Sequence, residues 1–315
     1  MSSDTTQRPT HYVAPIDETP LADVDTVRIS EKPSNLWLDA WRDLRRRPMF
    51  WISSVLIVFI LFVALFPTVF TAVDPKFCEL SNSNGAPEPG HPMGYTMQGC
   101  DVFSRVVHGA ATSISVGLLV TILVATVGIL VGSFAGFFGG WVDSVLMRVG
   151  DIFFAIPYIL AAVVVMSVLS AYRSVPVIAL AIGLFAWPST ARILRSEVLR
   201  IKQSDFVMAS KALGLTRART MFSHVLPNSL APVIVVTTVS LAGAITAEAT
   251  LSFLGVGIPN VVSWGKDISD AQSSLRTNPM VLIWPSIALS LTVLSFIMLG
   301  ETIREALDPK ARARR

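Results

Sequence analysis

Charge is what this sequence has least of. Across 315 residues only 15% are Asp, Glu, Lys or Arg, set beside 52% hydrophobic residues. A soluble domain carries about 25% charged residues, and a water-exposed surface cannot be assembled from so few. A soluble enzyme, a disordered protein and a nucleic-acid-binding module are excluded as the main reading, and lipid is expected to cover much of the surface. Catalytic signatures are missing as well. Gly265-Lys266 is followed by Asp267 and lacks the upstream glycine of a phosphate-binding G-x-x-x-x-G-K-[ST] loop. His11, His91, His108 and His224 are scattered, with no H-E-x-x-H and no C-x-x-C, so neither a catalytic nor a metal site is expected. Nor is there an apolar stretch near Met1, which argues against a cleavable signal peptide.

What is present is a series of long apolar runs. A helix needs about 20 residues to cross a bilayer. Six runs qualify, at about residues 49–73, 112–138, 152–169, 175–194, 229–251 and 281–300, so the fold class is an all-α integral membrane protein with six transmembrane helices. Residues 1–33, rich in Ser, Thr, Asp and Pro, read as a disordered arm. In residues 34–48, Trp37, Trp41 and Leu44 recur at helical spacing, followed by Arg45-Arg46-Arg47 and Pro48. That pattern predicts an amphipathic helix lying at the membrane interface, in contact with lipid. Residues 49–315 then form the transmembrane domain. Its connections include loops at 74–108, 200–228 and 256–280. Pro157 and Pro188 are expected to kink their helices, and Asp151 to pair with Arg148 at i,i+3 spacing.

Orientation follows from the basic residues. If the N-terminus is cytoplasmic, only Lys76, Arg105, Arg173, Lys266 and Arg276 of the 25 Lys and Arg fall outside. Both termini are then cytoplasmic, the 200–228 loop is cytoplasmic, and the loops at 74–108 and 256–280 are external. Cys78 and Cys100, the only cysteines, share the first external loop, where an oxidising compartment favours a disulfide.

Two spans have unusual faces. The second carries small residues every fourth position, Gly109, Ser113, Gly117, Thr121 and Ala125. After one three-residue step the series resumes at Gly128, Gly132, Gly136 and Gly140. Such a ridge lets another backbone approach closely. The fifth span combines Thr and Ser with Ala and Gly. Ser240, Gly243, Ala247 and Glu248 are its candidates for a translocation path or gate. Glu248 has two readings: a structural hydrogen-bonding role near the interface, or direct contact with cargo.

The loop at 200–228 carries the most specific pattern. A short helix through Asp205, Ala209, Ser210 and Leu213 meets Gly214 where a left-handed C′ residue belongs. A second short helix, capped by Thr216, is expected to end before Pro227, which follows Leu226. This stretch resembles the "EAA" loop of binding-protein-dependent ABC importer permeases. Ala209, Gly214, Leu226 and Pro227 match, while Ser210 replaces the usual second Ala. Residues 248–257 (Glu-Ala-Thr-Leu-Ser-Phe-Leu-Gly-Val-Gly) resemble the fifth-span signature of the dipeptide/oligopeptide (nickel) branch. Residues 299–309, ending Leu307-Asp308-Pro309, resemble the end of its C-type subunit. One departure stands out. Where family members often read His-Pro-Leu-Gly-Thr-Asp, this chain has His91-Pro92-Met93-Gly94, then Tyr95 to Cys100, before Asp101.

The resemblance implies a type I ABC importer permease in a prokaryotic plasma membrane. It further implies a second permease as heterodimeric partner, two ATPase subunits or one fused ATPase, and an extracytoplasmic substrate-binding protein. ATP and Mg would be bound by the ATPases and no cofactor by this chain, which would not itself be an enzyme. Asp205, Ala209, Ser210, Leu213, Gly214, Leu226 and Pro227 would couple to the ATPases, and the second, third and fifth spans would line the pore. Peptides are the cargo the resemblance favours, with nickel chelates or haem as alternatives on the same scaffold. The rival class is an ion-coupled secondary transporter, which usually shows an internal repeat and broken helices near the midplane; no repeat is visible in this sequence.

Overall fold

The apolar runs become helices because a backbone in hydrocarbon must satisfy its own hydrogen bonds. A computed structural model describes residues 36–307. The arm at 1–33, residues 34–35 of the interfacial segment and the Asp308-Pro309 ending lie outside the described residues. The chain divides into two compact units, Met1–Asp39 and Ala40–Arg315. Of the first, the described part is the opening of α1 (Leu36–Leu44).

The second unit holds the membrane domain. Pro48 opens α2 (Pro48–Leu65) at its first turn, where a missing N–H costs nothing. Only Ser53 and Ile57 of α2 are buried; Val55, Val58, Phe59, Phe62 and Leu65 face outward, as suits a helix solvated by lipid. Residues 66–101 form a loop with two short 3-10 turns and three isolated bridges, Cys78 with Cys100, Glu88 with His91 and Tyr95 with Asp101. Then come α3 (Val102–Phe138), α4 (Gly140–Phe154), α5 (Tyr158–Val168) and α6 (Val175–Lys202). Short helices α7 (Asp205–Ala212), α8 (Arg217–Thr220) and α9 (Leu226–Ser229) precede α10 (Ala231–Phe253). The chain continues through α11 (Trp264–Ala271) to α12 (Met280–Leu307). No strand occurs among the described residues.

The two ends of the bundle are told apart by their contacts. At the disulfide end, the 66–101 loop meets α11 and the starts of α3 and α12. At the short-helix end, Lys202 Nζ donates to the Phe137 carbonyl (2.5 Å) and Arg47 pairs with Glu305.

Several expectations are corrected here. The first span ends at Leu65, not near 73, and the second starts at Val102, not near 112, so the first loop runs over 66–101 rather than 74–108. Asp101 caps the helix by accepting from the Ser104 N–H (2.8 Å). The third span is no single rod: α4 and α5 meet at a 75° bend across Ala155-Ile156-Pro157. Pro157 lacks a donor and pushes its predecessor out of helical geometry, which ends α4 there. Pro188 lies inside α6, which is helical on both sides of it. Asp151 pairs with Arg192 of α6 (2.8 Å), not with Arg148, which is exposed. The antiparallel packing of α4 on α6 explains this, since Phe153 sits against Phe185 and Trp187, and Asp143 forks to Arg195 (2.5 and 2.6 Å). The 256–280 segment is no plain loop, because it contains α11.

The small-residue ridge of α3 resolves into two faces, and the three-residue step is where it turns. Gly109 lies against Trp264 of α11 and Gly117 against Ile245 of α10, whereas Gly128, Gly132 and Gly136 lie against Thr190, Ala191 and Val198 of α6. The contact is closest at Gly132, where a Cβ would stand 2.4 Å from the Ala191 carbonyl oxygen. Gly140 falls outside the ridge, at the start of α4 with open space around it. Main-chain approach of this kind replaces the hydrophobic drive that lipid removes.

Candidate functional site

Three polar or irregular regions stand out from the apolar bundle: the short helices at one end, a buried carboxylate, and the disulfide loop at the other end.

The short-helix region begins at Asp205, exposed in the first turn of α7. Val207 and Ser210 anchor that helix; Ser210 is buried and its hydroxyl donates to the Val207 carbonyl (2.8 Å). Ala209 is exposed, as is Leu213, 81% accessible at the C-cap. Gly214 follows at φ +82. Its N–H donates to Lys211 O (3.0 Å) and the Leu215 N–H to Ser210 O (3.2 Å), the paired bonds of a Schellman turn. Thr216 then accepts from the Arg219 N–H and opens α8.

Beyond α8 the expectation fails in an instructive way. The second helix does not end before Pro227. It passes through one wide π turn, Met221–Val225, into α9, with Leu226 half-buried and Pro227 exposed in its first turn. A proline ring clashes with the carbonyl four residues back in a regular α-helix. Widening the preceding turn relieves that clash without breaking the helix. The surface of the region mixes exposed charges, Asp205, Lys211, Arg217 and Arg219, with apolar side chains, Phe206, Met208, Leu213 and Phe222, each about half exposed or more.

The buried carboxylate is Glu248, 1% exposed. One oxygen accepts from Ser113 of α3 (2.8 Å) and the other from Ser252 (2.7 Å), and Ser263, the N-cap of α11, stands against it. Glu248 thus ties α3, α10 and α11 together. Ala247 is also inside, in the apolar core with Val116, Met166 and Leu251. Gly243 lies on the opposite, open face of α10 beside exposed Thr246, with Ser240 half-buried. The four sequence candidates on this helix therefore divide between its inner and outer faces. The threonine hydroxyls of the outer face are bonded to their own helix, Thr246 to Ala242 O (2.9 Å) and Thr250 to Thr246 O (2.8 Å), leaving a smooth, weakly polar surface.

At the disulfide end, Cys78 and Cys100 are joined, their Cα atoms 4.1 Å apart. Six residues that depart from the family pattern, Tyr95 to Cys100, form an excursion closed by the Tyr95–Asp101 bridge and by the Val102 N–H donating to Gly94 O (3.0 Å). The excursion supplies one half of the disulfide. Tyr95 is buried and donates to Glu88 (2.6 Å), which pushes its phenol up to about 12.

The sequence reading missed two residues here. Arg105 of α3 bonds Asp267 of α11 through Nε (2.8 Å) and Nη2. Burial outweighs the guanidinium and pushes the Asp267 carboxyl up to about 6. The available signal was Ser263 as an N-cap, followed by Trp264, Asp267 and Ala271 at helical spacing, all of them buried.

Comparison with known proteins agrees with this architecture. Residues 128–313 match the family model "Binding-protein-dependent transport system inner membrane component", and residues 35–87 match "N-terminal TM domain of oligopeptide transport permease C". The oligopeptide transport system permease protein OppC of Bacillus subtilis is 35% identical over 91% of this chain and 94% of its own. The dipeptide transport system permease protein DppC of Alkalihalophilus pseudofirmus is 34% identical over 88% and 91%. The glutathione transport system permease protein GsiD of Escherichia coli is 32% identical over 95% and 97%. Among solved structures, a chain of the inward-facing MetNI methionine ABC transporter superposes with a TM-score of 0.50 at 18% identity, covering 64% of this chain and 96% of that one. That match extends to the fold, the type I permease fold. With the family model spanning more than half of the sequence and relatives aligned over nearly all of it, this multi-pass membrane chain belongs to the inner-membrane components of binding-protein-dependent transport systems, with an amino-terminal segment of the oligopeptide permease C type.

Proposed function

We propose that this chain forms half of the translocation pore of an ATP-driven peptide importer. The observation that carries the reading is similarity along nearly the whole chain to oligopeptide and dipeptide permeases, at 35% and 34% identity. The glutathione permease relative keeps the cargo within small peptides. In this reading the N-terminus is cytoplasmic, as the Lys and Arg distribution favours. The short helices then face the ATPases and the disulfide loop faces an external binding protein.

Energy would enter through the short helices. Phe206, Met208, Leu213 and Phe222 offer an apolar knob to a cleft on a partner ATPase, which binds the ATP and Mg. Asp205, Ala209, Ser210, Gly214, Leu226 and Pro227 fix the knob's shape rather than its chemistry. The Schellman turn and the π turn make it a rigid lever joined directly to α6 and α10. A closing movement of the ATPases would pass through this lever to the bundle and alternate access between its two ends. The weakly polar stripe at Gly243 and Thr246 would face a second permease across the path, with Ser240 at its margin, while Ala247 and Glu248 hold the stripe in place from behind.

The test is purification of the tagged chain from its native membrane. The reading requires a second permease and ATPase subunits to co-purify, and the binding protein of the same system to release peptides on denaturation. Recovery of the chain alone in active form, or of a binding protein loaded with a nickel chelate or haem, would overturn the assembly or the cargo respectively.

A further inference from the structure

Between the last turn of α3 and the short helices lies a cavity of about 390 Å³. Lys202, Lys211 and Arg217 line it together with Phe137, Phe138 and Thr220, and no carboxylate does. None of the three cations has an acidic partner among the described residues. The ammonium of Lys202 is pinned at the rim by the Phe137 carbonyl (2.5 Å) and lies 5.7 Å from the Phe137 ring centroid. That bond uses one of its three donors. Three like charges around one cavity repel each other unless an anion joins them.

Thr220 supplies an independent observation. It is completely buried, and its hydroxyl has no hydrogen-bond partner. Several other helical threonines, among them Thr121, Thr246 and Thr302, donate to the carbonyl four residues back, while Thr190 of α6 shares the unpaired state but does not line this cavity. Thr220 makes no such bond, although an orphaned hydroxyl is costly. Thr220 belongs to the wall of this basic cavity, and rotation of its unpaired hydroxyl toward the cavity would give it an acceptor in an acceptor-rich anion. A phosphate group offers oxygens to ammonium, guanidinium and hydroxyl at once.

The walls indicate where that phosphate comes from. Phe137 and Phe138 close the long apolar helix α3, and Phe138 is 45% exposed, so the cavity sits where hydrocarbon gives way to headgroups. We propose that this cavity binds the phosphate headgroup of an anionic phospholipid, with its acyl chains running along α3 beside Phe138. The lipid would brace the short helices against the end of α3. The inference stands apart from the cargo assignment, since it concerns neither the path nor the binding protein.

The experiment uses the complete complex, purified and stripped of lipid in mild detergent. Phosphatidylglycerol, phosphatidylcholine with the same acyl chains, and inorganic phosphate are added separately, and retained lipid is counted by native mass spectrometry. The wild type should retain phosphatidylglycerol roughly ten-fold better than phosphatidylcholine, as expected for several basic contacts to one headgroup. Lys211→Gln with Arg217→Gln should abolish the preference, and Thr220→Val should weaken it. Arg200→Gln, which alters a charge paired with Glu197 outside the cavity, should leave the preference intact and controls for net charge. Equal retention of the two lipids by the wild type, or a preference that survives the double variant, would overturn the proposal. Displacement of phosphatidylglycerol by equimolar inorganic phosphate would overturn the lipid assignment and leave a free-anion site. Should the double variant fail to assemble, Thr220→Val decides, because an unchanged preference there contradicts the role of the open hydroxyl.

Discussion

Replacing Gly214 separates strain from collision, and so isolates the lever between membrane and ATPase. Its φ of +82 lies in the left-handed region, yet a Cβ placed on it meets nothing within 4 Å. Any loss on substitution is therefore conformational. A non-glycine L-residue held there costs about 1–2 kcal/mol, least for Asn and more for a β-branched side chain. The alternative is to abandon the turn and forfeit the Gly214-to-Lys211 and Leu215-to-Ser210 hydrogen bonds, each worth about 1 kcal/mol net. For Gly214→Val the two costs are comparable, so the angle between α7 and α8 should be lost in much of the population. Gly214→Asn should keep it. No membrane span includes this residue, so both variants should insert and assemble. In reconstituted complexes, Gly214→Val should lose most uptake and most stimulation of ATP hydrolysis by the binding protein, with Gly214→Asn near wild type. Assembly and binding-protein docking are measured alongside, because a folding defect would also stop transport. Wild-type uptake and stimulated hydrolysis in assembled Gly214→Val complexes would refute the lever.

Three further outcomes follow from packing and charge. Gly132→Val should prevent α3 from seating on α6, because its Cβ would collide with the Ala191 carbonyl, whereas Gly243→Ala should be tolerated in open space; equal thermal stability of the two variants would contradict the assigned faces. Serine at both Cys78 and Cys100 should lower stability by about 3 kcal/mol on the entropic account of a loop closed over 22 residues, read by thermal unfolding with and without reductant, and an unchanged midpoint would count against it. Because the Asp267 pKa is raised above its ordinary value, the stability it contributes is full below about pH 4 and is lost as pH rises through about 6. Hydrogen exchange in α11 should therefore be slower at pH 5 than at pH 7.5 once corrected for intrinsic rates, and Asp267→Asn should flatten that difference; identical profiles in the two proteins would exclude the carboxyl as its source.

Much of the fold was legible because the bilayer imposes a length on apolar runs: α6, α10 and α12 fall on the runs read for them, and α2 starts where its run does but ends at Leu65. The start of α3 was hidden because its first turns carry two polar residues, Arg105, whose partner Asp267 lies far along the chain, and His108, which bonds Ser104 one turn back. The α4–α5 bend was foreshadowed by Pro157, but the pairing of Asp151 with Arg192 spans 41 residues, and no local spacing announces it. In the short-helix region the Gly214 turn was readable from one residue. The π turn before Pro227 was not, since the same proline is compatible with a helix end. The roles of Ala247 and Glu248 depend on which face of α10 meets α3, and a helix so evenly mixed in small residues carries no amphipathic mark to say so. Six residues standing before Asp101 where the family pattern has one were visible as a departure, while their closure into a disulfide-linked excursion came only with the fold.

The most direct test of the account is uptake of a labelled small peptide by proteoliposomes containing this chain, its partner permease and the ATPases, with the binding protein supplied outside. Peptide should accumulate only when ATP and the binding protein are both present, and omission of this chain should abolish accumulation. Uptake driven by an ion gradient in the absence of ATP, or by this chain without ATPases, would contradict it.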